Sequence, residues 1–344
     1  MKIFCPHPAP GVSLSPLFYF KFSPEEKVGG LFKEDLPPNY FEYEAEYVSK
    51  PEEAEIIVLP NNFTVLNESI REYINLYAEM GTAHRKPVFI FSCGDHTDTL
   101  IFDSRVKVFR YSLYLTVKSK NDISIPTLTE DVGRAGITLR QKDGVPTVSF
   151  CGKAGFSSSR ERYAGLLKAA WYQLISVIHP YDRARIRGVF WRIWSVRILQ
   201  KSPLVKTLFI LRKTFSGAEK TIELDPTQAR KEFINSLINT DFVLAPKGDG
   251  NYSNRFLEAL SMGRFPVVPD TDCVFPLENE IPYEKVVVRV PMNRLACLGE
   301  EIKAFYDALT PEEFMARQKL AREIFEMYLR QDSFFRAFFN KIVR

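Results

Sequence analysis

A polar loop bracketed by glycines carries the clearest chemistry in this sequence. It lies within "FVLAPKGDGNYSNRFLEALSMGRFPVVPD", residues 242–270, where an apolar strand precedes it and an apolar helix and a second strand follow it. Gly248 and Gly250 predict backbone conformations that other residues avoid. Ser253 stands at the N-cap of the helix, where its hydroxyl would accept a bond from a first-turn N–H. A helix that begins in this way has free N–H groups and a positive dipole end, so the segment predicts an anion site, with phosphate as its natural occupant.

The side chains around this loop extend the prediction from phosphate to a nucleotide. Lys247 and Arg255 supply positive charge. Glu258 lies on the same helical face as Asn254 and Arg255, one turn deeper, where a carboxylate can accept hydrogen bonds from ribose or sugar hydroxyls. The spacing alone fits equally well an ordinary glycine turn and a surface ion pair between Arg255 and Glu258. The predicted donor-binding residues of this segment are Lys247, Gly248, Gly250, Tyr252, Ser253, Asn254, Arg255 and Glu258.

The same region resembles a known family. The stretch from Phe242 to Ile281 is similar to the signature region of the exostosin glycosyltransferases, with its Pro-x-Gly, its Ser-x-Arg-Phe-x-Glu-Ala-Leu helix, its Gly-x-x-Pro-Val strand and a later proline before an acidic loop. Weaker similarities occur at "NDISIPTL" (121–128) and "VSFCGKAGFSSSRERY" (148–163), and the N-terminal third shows little. The resemblance implies an inverting, nucleotide-sugar-dependent transferase with the GT-B architecture, in which two Rossmann-like domains face a cleft.

Such an enzyme must stabilise a departing nucleoside diphosphate. Lys247 and Arg255 suit this task, because they place positive charge where the leaving group gains negative charge. Lys153, Ser157 and Arg160 follow the strand "VSFCG", and we predict that they reach the phosphates from the opposite side; a solvated helix start is the alternative for this loop.

The enzyme must also remove a proton from an acceptor hydroxyl. "SCGDHTDT" (92–99) directly follows the buried strand "VFIF", so its polar residues stand at a strand's carboxyl end. Asp95 is the predicted base, with His96 and then Asp98 as the next candidates. A hydrogen-bonded turn and helix cap is the competing interpretation of this string.

No cofactor is expected beyond the nucleotide-sugar donor. "DTD" at 270–272 matches an Asp-x-Asp metal pattern, so a divalent ion is possible, but its place after the strand "VVP" favours an ordinary turn. The histidines outside the cleft, His7, His84 and His179, fit loops, turns and helix ends better than catalysis.

The length of the chain and the alternation of strands with helices predict the architecture. At 344 residues the chain suits two domains, and strands alternate with helices in both halves. The expected fold class is therefore α/β with two Rossmann-like doubly wound domains facing a cleft. We predict an acceptor-side domain at 1–145, a nucleotide-sugar-binding domain at 146–325 that includes a basic helical segment at 181–215, and a C-terminal helix at 326–344 that packs back on the first domain.

The positive charge is concentrated in one segment. The net charge is +4, yet residues 183–213 contain nine basic and no acidic side chains, interleaved with Trp and Ile. This pattern fits three structures: an interfacial helix on an anionic membrane, a surface that binds a partner helix or an anionic glycan, or a helical hairpin packed on its own domain. Nucleic acid is not an expected partner, because no recognised binding motif accompanies the charge.

These observations lead to one expected function and two alternatives. The expected partners are a nucleotide-sugar donor, with UDP as its expected nucleotide, and a glycan or lipid-linked acceptor. Without an apolar run of eighteen residues or a signal-peptide core, the expected location is the cytoplasm, with peripheral contact at the inner membrane face. The alternatives are a catalytically silent nucleotide-binding partner subunit and another Rossmann-type enzyme acting on a phosphorylated metabolite, although no Gly-x-Gly-x-x-Gly follows the first strand.

Overall fold

The structure is a computed structural model. It describes residues 1–29, 31–33, 36–96, 105–156, 158–178, 180–215, 217 and 220–342. The predictions for Asp98, Ser157 and His179 concern residues outside the described part of the chain.

The first half of the described chain forms a parallel α/β domain. Its strands are β1 (Lys2–Phe4), β2 (Glu46–Tyr47), β3 (Ile56–Asn62), β4 (Val88–Ser92), β5 (Val106–Arg110) and β6 (Asp122–Ser124), and its helices are α1 (Tyr19–Phe22), α2 (Tyr40–Tyr43) and α3 (Glu68–His84). All described pairings are parallel, in the order β2-β1-β3-β4-β5-β6. β3 and β4 are buried almost throughout, as expected for the centre of a parallel sheet covered on both faces.

The second half forms another parallel α/β domain. Its strands are β7 (Thr147–Lys153), β8 (Lys206–Arg212), β9 (Phe242–Leu244), β10 (Phe265–Asp270) and β11 (Val288–Pro291). Its helices are α4 (Ser159–Ile175), α5 (Gly188–Lys201), α6 (Pro226–Ile238), α7 (Asn254–Ser261), α8 (Leu298–Asp307) and α9 (Pro311–Ile324). The order β11-β10-β9-β7-β8 is parallel throughout. Two doubly wound parallel domains facing a cleft, the GT-B arrangement, confirm the predicted fold class.

Helix starts follow local sequence signals. Asp225 caps α6 by accepting a bond from Gln228 N at 2.9 Å, with Pro226 at the first helical position, as predicted. Thr310 caps α9 and forms a reciprocal capping box with Glu313. These two predicted caps are confirmed.

The chain ends on the first domain. After a π-helical turn at Phe325–Leu329, α10 (Gln331–Ile342) packs Phe334, Phe335 and Phe339 into the N-terminal core. The ring of Phe335 lies 4.8 Å from that of Phe41 and 5.3 Å from that of Phe109. The C-terminal helix therefore joins the two domains through aromatic packing.

The basic segment folds into a different structure from either a hairpin or an interfacial helix. It forms the short helical turn Pro180–Arg185, then α5, then β8 at the edge of the second sheet. Trp191 and Leu199 are completely buried, and Phe190 is nearly so. The expectation of a lipid-facing α5 is wrong, because its apolar side chains already complete the core of this domain. Within the described residues, none of the helices is both long and apolar enough to cross a bilayer.

Candidate functional site

The loop after β9 and the start of α7 lie where the two domains meet. Ser253 stands at the N-cap of α7 with extended backbone angles, as predicted, but its hydroxyl makes no capping bond. Instead, Phe256 N donates to the Ser253 carbonyl at 3.1 Å. Ser253 lines a cavity of ≈ 50 Å³ between the domains, together with residues of the 124–127 segment. Its hydroxyl is thus directed towards the interdomain space rather than used in the helix.

The loop glycines do not have unusual backbone angles, and only Gly250 permits a close approach that a side chain would prevent. Neither Gly248 nor Gly250 has a positive φ, so that expectation is wrong. A Cβ on Gly250 would lie 2.8 Å from Asp95 Oδ1, and one on Gly248 would meet the Arg192 guanidinium at 3.6 Å. At Gly250 the missing side chain lets the first domain contact the loop of the second.

Arg255 lies half-buried beside β7. Its Nε and Nη2 atoms donate to the Cys151 carbonyl at 3.1 and 2.8 Å, and its guanidinium lies 4.8 Å from the centre of the Phe150 ring. Gly152 has φ +147°, and a Cβ there would overlap the Arg255 guanidinium. Burial lowers the pKa of Arg255, and among the described residues no carboxylate forms an ion pair with it. Arg255 is therefore a largely desolvated cation held by a carbonyl and an aromatic ring.

Arg192 is a second half-buried cation at this site, and the sequence reasoning missed its role. It comes from α5, and its Nη1 makes only a long bond, 3.5 Å, to the Lys153 carbonyl. Its Nε is buried without a hydrogen-bond partner in the described structure. Burial and, second, the charge of Arg255 lower the pKa of Arg192 to about 10, while Asp249 and Asp95 oppose the shift. Sequence placed Arg192 in a generic basic run, and only the packing of Trp191 turns it towards the loop.

Glu258 lies among charged groups from both domains. Burial raises the pKa of its carboxyl group, whereas the charges of Arg255, Arg230 and Lys33 lower it. Arg230 also pairs with Glu130, and Lys33 Nζ donates to the Leu128 carbonyl. In the described part of the chain the Glu258 carboxylate has no hydrogen-bond donor, so its oxygens can accept bonds from a ligand. No local sequence signal pointed to Lys33, Glu130 or Arg230.

Lys247 is used to hold the domains together. Its Nζ donates to Tyr114 Oη and to the Ala184 carbonyl, each at 2.7 Å, and it is nearly completely buried. Burial lowers the pKa of Lys247 to about 7. In this conformation the ammonium group is held by protein atoms of both domains.

Two asparagines fix the loop against the first domain. Asn251 N donates to Ser112 Oγ at 2.7 Å, and its side chain bonds to the Leu113 and Thr271 carbonyls. Asn254 Oδ1 accepts from Thr127 Oγ1 at 2.8 Å. These polar atoms of the loop are thus committed to protein contacts, whereas the Ser253 hydroxyl, the two arginines and the Glu258 carboxylate are available to a ligand.

Asp95 stands across the cleft from this loop. Its Oδ1 accepts from Gly250 N at 3.1 Å, and Tyr252 hydrogen-bonds to it; burial and then the charge of Asp95 raise the pKa of that tyrosine. His96 is exposed, and its carbonyl accepts from Arg110 at 3.3 Å. The structure therefore brings Asp95 to the predicted loop and leaves the His96 ring at the surface.

The remaining predicted donor residues lie near the edge of this site. Lys153, at the end of β7, pairs with Glu161 at 3.4 Å, and Arg160 is exposed in the first turn of α4. Tyr252, in the loop, is 6.0 Å from the Tyr111 ring. Lys153 reaches the site through its carbonyl bond to Arg192, and Arg160 points to solvent.

The two aspartates of "DTD" have structural partners. Asp270 accepts from Arg289 Nε at 2.8 Å, and Asp272 accepts from Thr116 N and Oγ1 at 2.9 and 2.6 Å. Around them, a bridge between Tyr114 and Cys273 joins the domains. The aspartates thus serve a turn and a domain contact, and the described residues contain no group of three metal-ligating side chains.

Comparisons with known proteins add no family assignment. No protein-family model and no curated protein matches the sequence. Among solved structures, an alpha-glucosyltransferase in complex with UDP and a 13-mer DNA containing a central A:G mismatch is 12% identical, with a TM-score of 0.36 over 100% of this chain and 98% of that one. WaaG, a glycosyltransferase involved in lipopolysaccharide biosynthesis, is 11% identical with a TM-score of 0.34 over 98% of both chains. TarM is 11% identical with a TM-score of 0.34 over 83% of this chain and 54% of that one. Likenesses this distant carry no argument about the activity of this chain.

Proposed function

We propose that this chain is a glycosyltransferase that moves a sugar from a nucleotide-sugar, with UDP as the nucleotide, to a glycan or lipid-linked acceptor. One observation carries the proposal: Arg192 and Arg255, two half-buried guanidinium groups without an ion-pair partner in the described structure, lie beside the free N-terminus of α7, and Arg192 Nε is buried without a hydrogen-bond partner there. Charges drawn partly out of water without an opposite charge are costly, and a bound anion would supply that charge.

A diphosphate fits this arrangement better than a single phosphate. Arg255 and the N–H groups at the start of α7 would bind one phosphate, and Arg192, whose guanidinium lies beside Gly248, would bind the second. The unbonded Glu258 carboxylate, one turn further along α7, is available for the ribose or the transferred sugar. The two arginines would stabilise the charge that develops as the nucleoside diphosphate departs. Lys153, Gly248, Gly250, Tyr252 and Ser253 remain proposed donor-binding residues. Lys247 and Asn254 would have to exchange their protein contacts, and Arg160 its solvent exposure, to join them.

For the acceptor step we propose Asp95 as the general base, with His96 as the second candidate. Asp95 comes from the opposite domain and contacts the donor loop, so an acceptor hydroxyl lying between the domains would be within its reach. An exostosin-like reaction would invert the anomeric configuration in one displacement. No metal is required in this proposal, so transfer should persist in EDTA.

Calorimetry with UDP tests the anion site. Arg255→Ala should weaken UDP binding by about 2 to 4 kcal/mol, or ~30-fold to ~1,000-fold, because a charge-assisted phosphate contact is lost. Arg294→Ala is the matched control, since Arg294 is exposed in the same domain and pairs with Glu301. Equal UDP affinity in a folded Arg255→Ala protein would refute the assignment.

Transfer assays with a panel of UDP- and GDP-sugars and a mixed glycan pool test the reaction itself. The anomeric configuration of the first product, read by NMR, decides between inversion and retention. UDP binding without hydrolysis or transfer for any donor would favour the silent partner subunit. Preference for a small phosphorylated metabolite over nucleotide-sugars would favour the other Rossmann-type enzyme.

A further inference from the structure

Helix α4 presents an apolar stripe that the described part of the protein does not cover. Its side chains are exposed to between 60% and 81% at Tyr163, Leu167, Trp171, Leu174, Val177 and Ile178. These positions recur at spacings of three and four residues, so they share one face of the helix and the turn that follows it. A row of large apolar side chains of this extent is unusual on a surface exposed only to water.

The opposite face of α4 attaches the helix to its own domain. Ala169 and Tyr172 pack with Ile186, Val189 and Trp191, and a Cβ on Gly165 would be 3.3 Å from the Phe190 ring. The exposed stripe is therefore not needed to hold the helix in place. The stripe faces away from α5, which is buried beneath the opposite face of α4.

The charges around this stripe are of one sign. Arg162 and Lys168 are exposed and flank the stripe on its two sides, and Arg160 is exposed at its start. The sequence has no acidic residue between Glu161 and Asp182, and Glu161 is paired with Lys153 and Arg187. An apolar stripe with Trp and Tyr, bordered by cations, is the pattern of a helix that lies in the interface of an anionic membrane.

A second copy of the chain fits this surface less well. Pairing two stripes around a two-fold axis would bring Arg162 and Lys168 of both copies together without acidic partners, and like charges at an interface oppose association. An anionic bilayer instead offers a hydrocarbon boundary for the stripe and phosphates for its flanks.

We propose that α4 is a membrane-docking helix and that its partner is a bilayer containing anionic lipid. The membrane contact that the sequence suggested for residues 183–213 thus moves to α4. Strand β7 contacts Arg255 through Cys151 and Gly152, and α4 begins shortly after this strand. A bilayer bound to α4 would therefore lie beside the donor site. If the proposed function holds, the acceptor would then be one carried by lipid.

Vesicle sedimentation with the full chain tests the docking surface. The protein should bind vesicles containing phosphatidylglycerol, bind phosphatidylcholine vesicles much less, and release as salt rises. Leu167→Ser with Leu174→Ser should lower partitioning ~100-fold, since each leucine contributes on the order of a factor of ten. Val65→Ser with Leu76→Ser is the matched control, because these residues are similarly exposed on the first domain.

Tryptophan fluorescence locates the contact. Trp191 is completely buried and Trp194 is packed beside it in α5, so a blue shift with anionic vesicles that disappears in Trp171→Phe assigns the insertion to α4. Binding that ignores lipid charge, or that survives the double leucine variant, would overturn the proposal. The proposal would also be overturned if the wild-type protein were an oligomer that bound no vesicles and if the double leucine variant were a monomer. UDP calorimetry on the same proteins tests the proposed function separately. Normal UDP affinity in a protein that does not bind vesicles would refute the docking surface and leave the proposed function standing.

Discussion

Gly152→Ala tests whether the Arg255 guanidinium needs the space that the missing side chain at position 152 leaves for it. Gly152 has φ +147°, a conformation that L residues rarely adopt, and an added Cβ would overlap the guanidinium. Two costs therefore add. The backbone costs about 1 to 3 kcal/mol, and displacing a packed neighbour costs about 1 to 3 kcal/mol more.

These two costs separate in a double-mutant cycle with Arg255→Ala. In the wild-type background, Gly152→Ala should lower the free energy of unfolding by about 2 to 6 kcal/mol, the sum of both costs. In the Arg255→Ala background only the backbone cost of about 1 to 3 kcal/mol should remain, because the overlapping group is gone.

Urea denaturation of the four proteins measures the cycle, and UDP calorimetry measures its functional consequence. Gly152→Ala should weaken UDP binding nearly as much as Arg255→Ala, since the arginine is pushed from its carbonyl partner. A stability loss that is equal in both backgrounds, with UDP affinity unchanged, would show that Gly152 serves the strand and not Arg255.

The remaining predictions concern the opposite wall of the cleft and the domain contact. Asp95→Asn should leave UDP-sugar binding intact and lower transfer by ~10²-fold or more, because only proton removal is lost; an active variant would move the assignment to His96. Burial lowers the pKa of Lys247 from 10.5 to about 7, so the unfolded chain binds this proton more tightly than the folded one. Stability should therefore rise as pH increases above about 7, by at most about 1.4 kcal/mol per unit, and this contribution should be flat below that pH. Chemical denaturation across pH should show that slope in the difference between wild type and Lys247→Met, and a constant difference would contradict it.

The sequence by itself determined the elements and their local signals. Alternating apolar strands and helices predicted two parallel α/β domains, and the caps at Asp225 and Thr310 could be identified because a helix start depends on neighbouring residues only. The proposed anion site at α7 was suggested by the sequence for the same reason, since its loop, N-terminus and Arg255 lie within a few residues of one another.

Tertiary structure decided which side chains are available at that site. Arg192 lies more than fifty residues before the loop, and the burial of Trp191 within its own domain directs it there. Lys247 looked like a phosphate ligand from its position, but Tyr114 from the other domain and the Ala184 carbonyl of its own domain accept its hydrogen bonds. Sequence spacing cannot specify such contacts, because they depend on how the domains pack. Packing also decided that α5 is core and that α4 carries the exposed stripe, since both helices have apolar side chains but only one of them is covered.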